Sequence, residues 1–263
     1  MTRSLIAAQS GWGKSFFALA YVVNNLADYD AAVILDYKDE FRGIAEEGMA
    51  DWLIGGPAER DAGREWWDQA LRESDALVVC RHSSMAPEDW RALAATAIEA
   101  AREYDGKTLT WAEEAHFIAP QRGSYPEVIR GLATTGRGEL AHSVWSTQRF
   151  AEIDKTVATQ ADERILGGFD GDNIDRVSSV VSGYPADIHD PQANVPAERV
   201  PDALVADDGH TTVRQFEDDA GKTIGSEWIY STQSGDRRRV DTRGLDAGVP
   251  HYSPDDDGMD LPT

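Results

Sequence analysis

Short apolar runs and longer amphipathic stretches alternate along the chain as far as about Pro185. The apolar runs predict strands at Ser4–Ala8, Ala32–Asp36, Ala76–Cys80, Thr108–Ala112, Ser143–Thr147 and Arg164–Gly168. Helices are predicted at Lys14–Leu26, Ala62–Ser74, Pro87–Tyr104, Tyr125–Thr134 and Asp172–Val181. The strands lack the regular alternation of a half-exposed strand, as expected for strands that are covered on both faces. The pattern therefore predicts an α/β fold, a mainly parallel sheet with helices on both faces.

Composition divides the chain into an α/β domain, residues 1–185, and an acidic C-terminal segment, residues 186–263. That segment contains 17 acidic and 7 basic residues and few apolar runs. Two short alternating stretches, Thr211–Phe216 and Glu227–Ser231, flank the turn residues Asp218-Asp219-Ala220-Gly221 and predict a hairpin. The last dozen residues are rich in Asp and are predicted to be disordered. We expect a small, irregular or β segment here.

The chain is strongly acidic, with 47 acidic and 25 basic residues among 263 and a net charge of −22. This charge excludes a simple basic nucleic-acid-binding protein. Asp outnumbers Glu by 29 to 18, and there are only five lysines. An Asp-rich, Lys-poor surface suits a cytosol of molar salt and favours a halophilic host. An acidic protein from an ordinary host is the alternative, because charge sets solubility rather than fold.

Three features of the sequence point to an intracellular protein. Cys80 is the single cysteine and cannot form an intramolecular disulfide. The first apolar run begins at Ser4, which leaves no room for a signal peptide before it. No run approaches the roughly 18 to 20 apolar residues that span a bilayer. We expect a protein without a membrane anchor of its own.

The strongest local signal is a loop between a predicted strand and a predicted helix, with the sequence Ala8-Gln-Ser-Gly-Trp-Gly-Lys-Ser15. It matches the phosphate-loop pattern G-x-x-x-x-G-K-[ST], except that Ala8 replaces the first glycine. Glycines let backbone N–H groups point at an anion, Lys14 reaches the β and γ phosphates, and Ser15 can bind Mg²⁺. The predicted cofactors are ATP and Mg²⁺. The predicted nucleotide-binding residues are Ser10, Gly11, Trp12, Gly13, Lys14, Ser15 and Phe16.

A pair of acids, Glu113 and Glu114, directly follows the predicted strand Thr108–Ala112. Side chains that succeed one another at a strand end diverge, so two adjacent carboxylates can serve different functions. We predict that Glu113 holds Mg²⁺ and that Glu114 orients the attacking water. The usual residue on the metal side is Asp, and an acidic pair at the start of a surface helix is the alternative interpretation. His116 is predicted to pack or cap rather than to catalyse.

A third motif follows, in which Gly136-Arg137 precedes an apolar strand that ends in Thr147-Gln148-Arg149. With three motifs in this order across Leu5–Asp175, the sequence resembles the FtsK and HerA superfamily of DNA-pumping P-loop ATPases. The resemblance implies an additional-strand, RecA-like fold and a homo-oligomeric ring, usually a hexamer, with ATP bound between subunits. Gln148 would be a polar sensor at the tip of a strand between the phosphate-loop strand and the acidic strand.

The same resemblance implies that Arg137 is an arginine finger that reaches the γ-phosphate of the neighbouring subunit. Arg149 and Arg130 are the alternatives for that role, and Arg137 as a solvated cation at a helix end is the structural alternative. Asp36, at the tip of the second strand, matches a recurrent acidic position of these ATPases; a strand-end cap is the other interpretation.

The phosphate loop begins at residue 8, so we expect neither the N-terminal barrel of cellular HerA nor the membrane region of cellular FtsK. A motor of this size is similar to the genome-packaging ATPases of icosahedral viruses with an internal membrane, including those of halophilic archaea. This implies a translocase of double-stranded DNA that fills a preformed capsid, with capsid or vertex proteins as partners, in the host cytoplasm or on the virion. The alternatives are a plasmid or conjugation ATPase, a filamentous-virus assembly ATPase, and a nucleotide-gated scaffold with little hydrolysis.

The predicted DNA contact is the loop Pro120–Tyr125, because a few local cations in a ring channel matter more than net charge. Gln121 and Arg122 are its candidate residues. The densest basic run, Arg237-Arg238-Arg239, stands beside Asp236 and Asp241 and is predicted to pair with acids of its own segment.

Overall fold

A computed structural model describes residues 2–252 of the chain as one ten-stranded sheet with its covering helices. The strands are β1 Arg3–Ala7, β2 Ala31–Asp36, β3 Asp51–Gly55, β4 Ala76–Arg81, β5 Thr108–Ala112, β6 Ala141–Thr147, β7 Glu163–Leu166, β8 Gln215–Glu217, β9 Thr223–Thr232 and β10 Arg237–Asp241. The helices are α1 Lys14–Asn25, α2 Arg42–Glu46, α3 Pro57–Asp61, α4 Arg64–Ser74, α5 Pro87–Glu103, α6 Glu127–Thr134, α7 Lys155–Gln160 and α8 Gly171–Ser178.

The sheet has the order β10-β9-β7-β1-β6-β5-β2-β4-β3, and β8 pairs with β9 outside this path. Every pairing among strands β1 to β7 is parallel, whereas β9 runs antiparallel to β7, β8 and β10. Strand β6 lies between β1 and β5, which is the additional-strand order that the resemblance implied. The predicted fold class is confirmed.

Both faces of the central strands β1, β2, β5 and β6 are buried, as the continuous apolar runs predicted. Leu5 and Ala7 of β1 belong to one core, whereas Ile6 and the following Ala8 belong to another. The first core contains side chains of α4, α5, α6 and α7, and the second contains side chains of α1 and of the C-terminal strand β9. Because successive strand residues point to opposite faces, a strand between the two cores is buried along its length, and its sequence shows no solvent-facing alternation.

The predicted strands and helices are all present, with ends that differ by a few residues. Strands β3 and β10 and helices α2, α3 and α7 were not predicted. Strand β3 is half-exposed and pairs only with β4 at the edge of the sheet, so its apolar run is short. No helix within residues 2–252 has both the length and the apolar character needed to cross a bilayer.

The C-terminal segment contributes to the same sheet as the rest of the chain. The predicted hairpin is confirmed as β8 paired with β9, and β9 also pairs with β7. Trp228 and Ile229 of β9 are fully buried in the second core. The composition changes at residue 185, and the sheet continues across that point. The last dozen residues were predicted to be disordered, and those from 253 onward lie outside the part of the chain that the structure describes.

The indole of Trp12 joins the phosphate loop to this C-terminal strand. Its side chain is buried, and its Nε1 donates a hydrogen bond to the carbonyl oxygen of Glu227 at 3.1 Å. The ring lies against the backbone of Gly167 and Gly168, where an added Cβ would approach ring atoms to 2.4 Å at each position. A Cβ at Gly167 would also lie 2.8 Å from that of Ala8, so the same glycine leaves room for the alanine of the phosphate loop.

We expect Gly168→Ala to reduce the free energy of unfolding by about 1–3 kcal/mol, because the methyl group overpacks the site of the Trp12 ring. The measurement is urea unfolding of the full chain. Gly138→Ala is the matched control, since no atom lies within 4 Å of the Cβ it would add; it should shift stability by less than about 0.5 kcal/mol. Equal stability of the two variants would contradict the packing described for Trp12.

Candidate nucleotide-binding site

The loop between β1 and α1 has the backbone conformation that a phosphate loop requires. Gly11 and Gly13 adopt φ values of 78° and 79°, in the left-handed region that favours glycine. Two side chains of the C-terminal segment donate hydrogen bonds to carbonyl oxygens of the loop. Gln215 Nε2 donates to that of Gly11 at 2.6 Å, and Ser226 Oγ donates to that of Trp12 at 2.8 Å. Helix α1 begins at Lys14, so its positive N-terminal end lies at the loop and favours an anion.

A cavity of about 440 Å³ opens at this loop. It is lined by Gln9, Ser10, Gly11, Gly13, Lys14, Ser15, Phe16, Lys38, Glu40, Gln148 and His251. Six of the seven predicted nucleotide-binding residues therefore line one cavity. Trp12 does not line it, because its side chain is packed in the core, and the cavity is bounded by its neighbours Gly11 and Gly13.

Lys14 and Glu113 form a buried ion pair at the base of the loop, with 3.2 Å between Nζ and Oε1. Burial opposes the charge on Lys14, but the carboxylates of Glu113, Glu114 and Glu40 outweigh it and raise the pKa of Lys14. Burial also raises the pKa of Glu113, against the opposing effect of Lys14. Lys14 and Glu113 are thus buried side chains of opposite charge type, and each is the other's ion-pair partner.

The second oxygen of Glu113, Oε2, is buried and has no hydrogen-bond partner within residues 2–252. No group of three or more His, Cys, Asp or Glu side chains suited to a metal occurs among those residues. Mg²⁺ is usually held by one or two protein side chains together with phosphates and water. Glu113, with its unpartnered oxygen, and Ser15, at the start of α1, fit that kind of site.

Glu114 diverges from Glu113 and meets a different cation. Its backbone is left-handed, with φ 44°, and Lys38 Nζ forms an ion pair with its Oε1. His116 Nδ1 lies 3.2 Å from Oε2 of Glu114 and 3.0 Å from Thr147 Oγ1. Burial opposes the charge on Glu114, but His116 and the two lysines lower its pKa to about 2. Glu114 is therefore an ionised, fully buried carboxylate.

Asp36 shapes the chain that follows β2. Its buried carboxylate accepts hydrogen bonds from the N–H groups of Lys38, Glu40 and Phe41 at 3.2, 3.1 and 2.8 Å. Burial raises the pKa of Asp36 to about 7, although the Phe41 N–H group opposes this. The contacts show the strand-end cap, one of the two interpretations of the sequence, and this cap places Lys38 and Glu40 at the cavity.

The other predicted site residues occupy three places. Gln148 directly follows β6 and lines the cavity with the phosphate loop. Gln121 and Arg122 line a separate cavity of about 500 Å³ that also borders His116. Arg137 belongs to a 3₁₀ turn, Gly136–Glu139, and its side chain lies outside the described part of the structure.

The remaining arginines of the sequence analysis have partners. Arg130 lies 3.5 Å from Glu127, and Arg149 lies 3.2 Å from Glu152. In the basic run, Arg239 pairs with Glu227 at 2.7 Å, which confirms the predicted pairing for this residue. Arg237 and Arg238 lie over the rings of Tyr184 and Tyr230 instead. The acidic partner of Arg239 is on β9 rather than next to it in sequence, because β10 lies antiparallel beside that strand.

Sequence reasoning missed Lys38, Glu40, Gln215, Ser226 and His251. Lys38 and Glu40 carried a usable signal: they follow a buried parallel strand, and the carboxyl ends of parallel strands meet at one edge of a sheet. The contacts of Gln215 and Ser226 join segments more than 200 residues apart, and nothing local marks them.

No protein-family model and no curated protein sequence matches the chain. Solved structures do. The genome packaging NTPase B204 from Sulfolobus turreted icosahedral virus 2, in complex with ATP-gammaS, has a TM-score of 0.57 and 15% identity, and the match covers 90% of this chain and 96% of that chain. The chain has the P-loop NTPase fold. VirB4 of Thermoanaerobacter pseudethanolicus has the same P-loop NTPase fold, with a TM-score of 0.58, 11% identity, and coverage of 90% and 88%.

We expect the buried carboxyl of Asp36 to make stability depend on pH. Its pKa is 3.8 as a free group and about 7 in the folded chain, so the folded state holds the proton more tightly. Between pH 4 and 7 the free energy of unfolding therefore falls as pH rises, by at most about 1.4 kcal/mol per pH unit. Asp36→Asn should remove this contribution in urea unfolding measured across that range. Asp219→Asn, at an exposed turn, should leave the pH dependence unchanged; identical curves for both variants would contradict the assignment.

Proposed function

We propose that the protein is an ATPase that translocates double-stranded DNA and packages a viral genome into a preformed capsid. The observation that carries this proposal is the convergence of Lys14, Glu113, Glu114 and Gln148 at one edge of the sheet. The fold it shares with a viral genome packaging NTPase that binds an ATP analogue supports the same conclusion. The sequence resemblance to DNA-pumping ATPases supplies the substrate class.

The residues of the site account for ATP hydrolysis. Lys14 and the N-terminus of α1 would bind the phosphates, and Ser15 with Glu113 would hold Mg²⁺. When bound, that ion offsets the charge on the phosphates. Glu114 would orient a water for attack on the γ-phosphorus, whose bond to the ADP oxygen breaks to give ADP and phosphate. Gln148, beside the same cavity, would contact the γ-phosphate.

The proposed active form is a homo-oligomeric ring, for which we adopt a hexamer. Of the described residues that line the cavity, Lys14 and Lys38 are the cations, and none is an arginine. An arginine from a neighbouring subunit would complete the charge around the γ-phosphate, and Arg137 is the residue we propose for it. Arg130 and Arg149, which have acidic partners, are the weaker candidates.

DNA contact requires local cations, because the chain carries a net charge of −22. We propose Gln121 and Arg122, whose loop borders His116 and therefore lies one side chain away from Glu114. Capsid or vertex proteins would be the further partners, in the cytoplasm of a haloarchaeal host or on the virion. The acidic, Lys-poor composition supports such a host.

The test of the motor is ATP hydrolysis in molar KCl with Mg²⁺, with and without double-stranded DNA. Glu114→Gln should lower turnover about 10²–10⁴-fold through loss of the residue that orients water, and Arg137→Ala about 10³-fold or more through loss of the contact in trans. Mixing the two variants should restore part of the activity, since some interfaces then combine an intact Glu114 with an intact Arg137.

Arg72→Ala is the control for that experiment, because Arg72 pairs with Asp68 on the surface of α4 and should leave turnover unchanged. Absence of turnover at every salt concentration, together with tight ATP binding, would replace the motor by a nucleotide-gated scaffold. Turnover without stimulation by DNA would support an ATPase and contradict the proposed translocase.

A separate prediction concerns the DNA loop. Arg122→Ala should lower DNA-stimulated hydrolysis and leave basal hydrolysis unchanged, because Arg122 lines a cavity distinct from that of the phosphate loop. Hydrolysis is measured against DNA concentration. Arg199→Ala, at an exposed arginine elsewhere, serves as the matched loss of one positive charge. Equal stimulation of the wild type and Arg122→Ala would remove this loop from the proposal.

A further inference from the structure

Lys38 lies between the carboxylate of Glu114 and the cavity at the phosphate loop. It follows β2 by two residues, and its ammonium group contacts the buried carboxylate of Glu114. The same side chain lines the nucleotide cavity together with Lys14. A single cation thus borders both the carboxylate that would orient water and the space that phosphates would occupy.

The contact with Lys38 occupies part of the carboxylate that would orient water. An ammonium group at Oε1 neutralises the carboxylate and takes one of its two oxygens. A carboxylate held in this way neither attracts nor polarises water as strongly as a free one, so hydrolysis requires that the pair open.

The two lysines differ in their freedom to move. Lys14 is 6% exposed and is fixed against Glu113, whereas the side chain of Lys38 is 28% exposed beside a fully buried partner. A lysine is a point charge on a flexible four-carbon stem, and it can exchange one anionic partner for another without a change of backbone. A terminal phosphate carries more negative charge than a carboxylate and attracts the ammonium more strongly at equal distance.

We propose that Lys38 moves from Glu114 to the terminal phosphate of bound ATP, and that this exchange frees Glu114 to orient water. Lys38 is then a positioning residue that couples the presence of the γ-phosphate to the readiness of Glu114. ADP lacks that phosphate and leaves the pair closed. The inference rests on the proposed ATPase function and adds to it the residue that distinguishes ATP from ADP.

The test is equilibrium binding of β,γ-methylene ATP and of ADP, each with Mg²⁺, to the full chain by calorimetry. Lys38→Met should weaken binding of the triphosphate analogue about tenfold, as expected for loss of one charge-assisted hydrogen bond. Binding of ADP should change less than about twofold, because ADP leaves the pair closed and Lys38 gains no contact with it. Lys38→Arg should retain the preference for the analogue. Lys222→Met, at an exposed turn lysine, should change neither affinity.

A double-mutant cycle with Glu114 identifies the competition itself. Glu114→Gln removes the competing carboxylate, so it should tighten binding of the analogue about tenfold when Lys38 is present. In the Lys38→Met background the same change should have no effect. Tightening that persists without Lys38 would reflect general loss of negative charge and would overturn the proposal. Equal losses of ADP and analogue affinity in Lys38→Met would overturn it as well.

The outcomes separate this inference from the proposed function. If the wild type binds the analogue but never hydrolyses ATP, the motor fails while the binding cycle still decides the role of Lys38. If the wild type hydrolyses ATP and Lys38→Met keeps its preference for the analogue, the inference alone fails. Thermal unfolding of each variant checks folding, and if Lys38→Met does not fold, the same cycle is measured with Lys38→Gln, which removes the charge and keeps a polar side chain.

Discussion

Buried charge at the carboxyl edge of the sheet is the constraint on which the site depends. Lys14, Lys38, Glu113 and Glu114 meet there, and the two carboxylates are fully buried. A buried charge is tolerated only when an opposite charge or a set of hydrogen bonds accompanies it, so each of these side chains fixes the position of another. The pairs bring the phosphate loop, the end of β2 and the end of β5 to one place. Any ligand that binds there has to exchange partners with side chains that are already paired.

The sequence motifs were local, and they predicted the local part of the site. The phosphate loop and the acids after β5 each occupy a few consecutive residues next to a recognisable strand, and the structure brings both to one cavity edge. Trp12 shows the limit of such reasoning. The phosphate-loop pattern accepts any residue at the position of Trp12. The packing of Trp12 depends on Gly167, Gly168 and Glu227, which are far away in sequence. Lys38 was missed although it follows a buried strand, because its partner Glu114 follows the neighbouring strand β5.

The C-terminal segment shows how composition can hide structure. Its many acids and prolines are typical of an irregular appendage, yet β9 carries Trp228 and Ile229 into the core. A single strand with two large buried apolar residues changes the average composition of a segment very little, although those residues add to the core on one face of the sheet. Two polar residues of this segment, Gln215 of β8 and Ser226 of β9, donate hydrogen bonds to carbonyl oxygens of the phosphate loop.

Strand β1 precedes the other nine described strands in the chain, and it lies in the interior of the sheet. Arg3 pairs with Ser143 of β6, and Ser4 pairs with Glu163 of β7. During synthesis this apolar strand has to wait for partners that leave the ribosome much later, and closing such long loops is slow. The contacts of Trp12 with the carbonyl oxygen of Glu227 come later still. A chain interrupted before β9 would therefore carry the phosphate-loop motif without the hydrogen bonds that hold the loop in place.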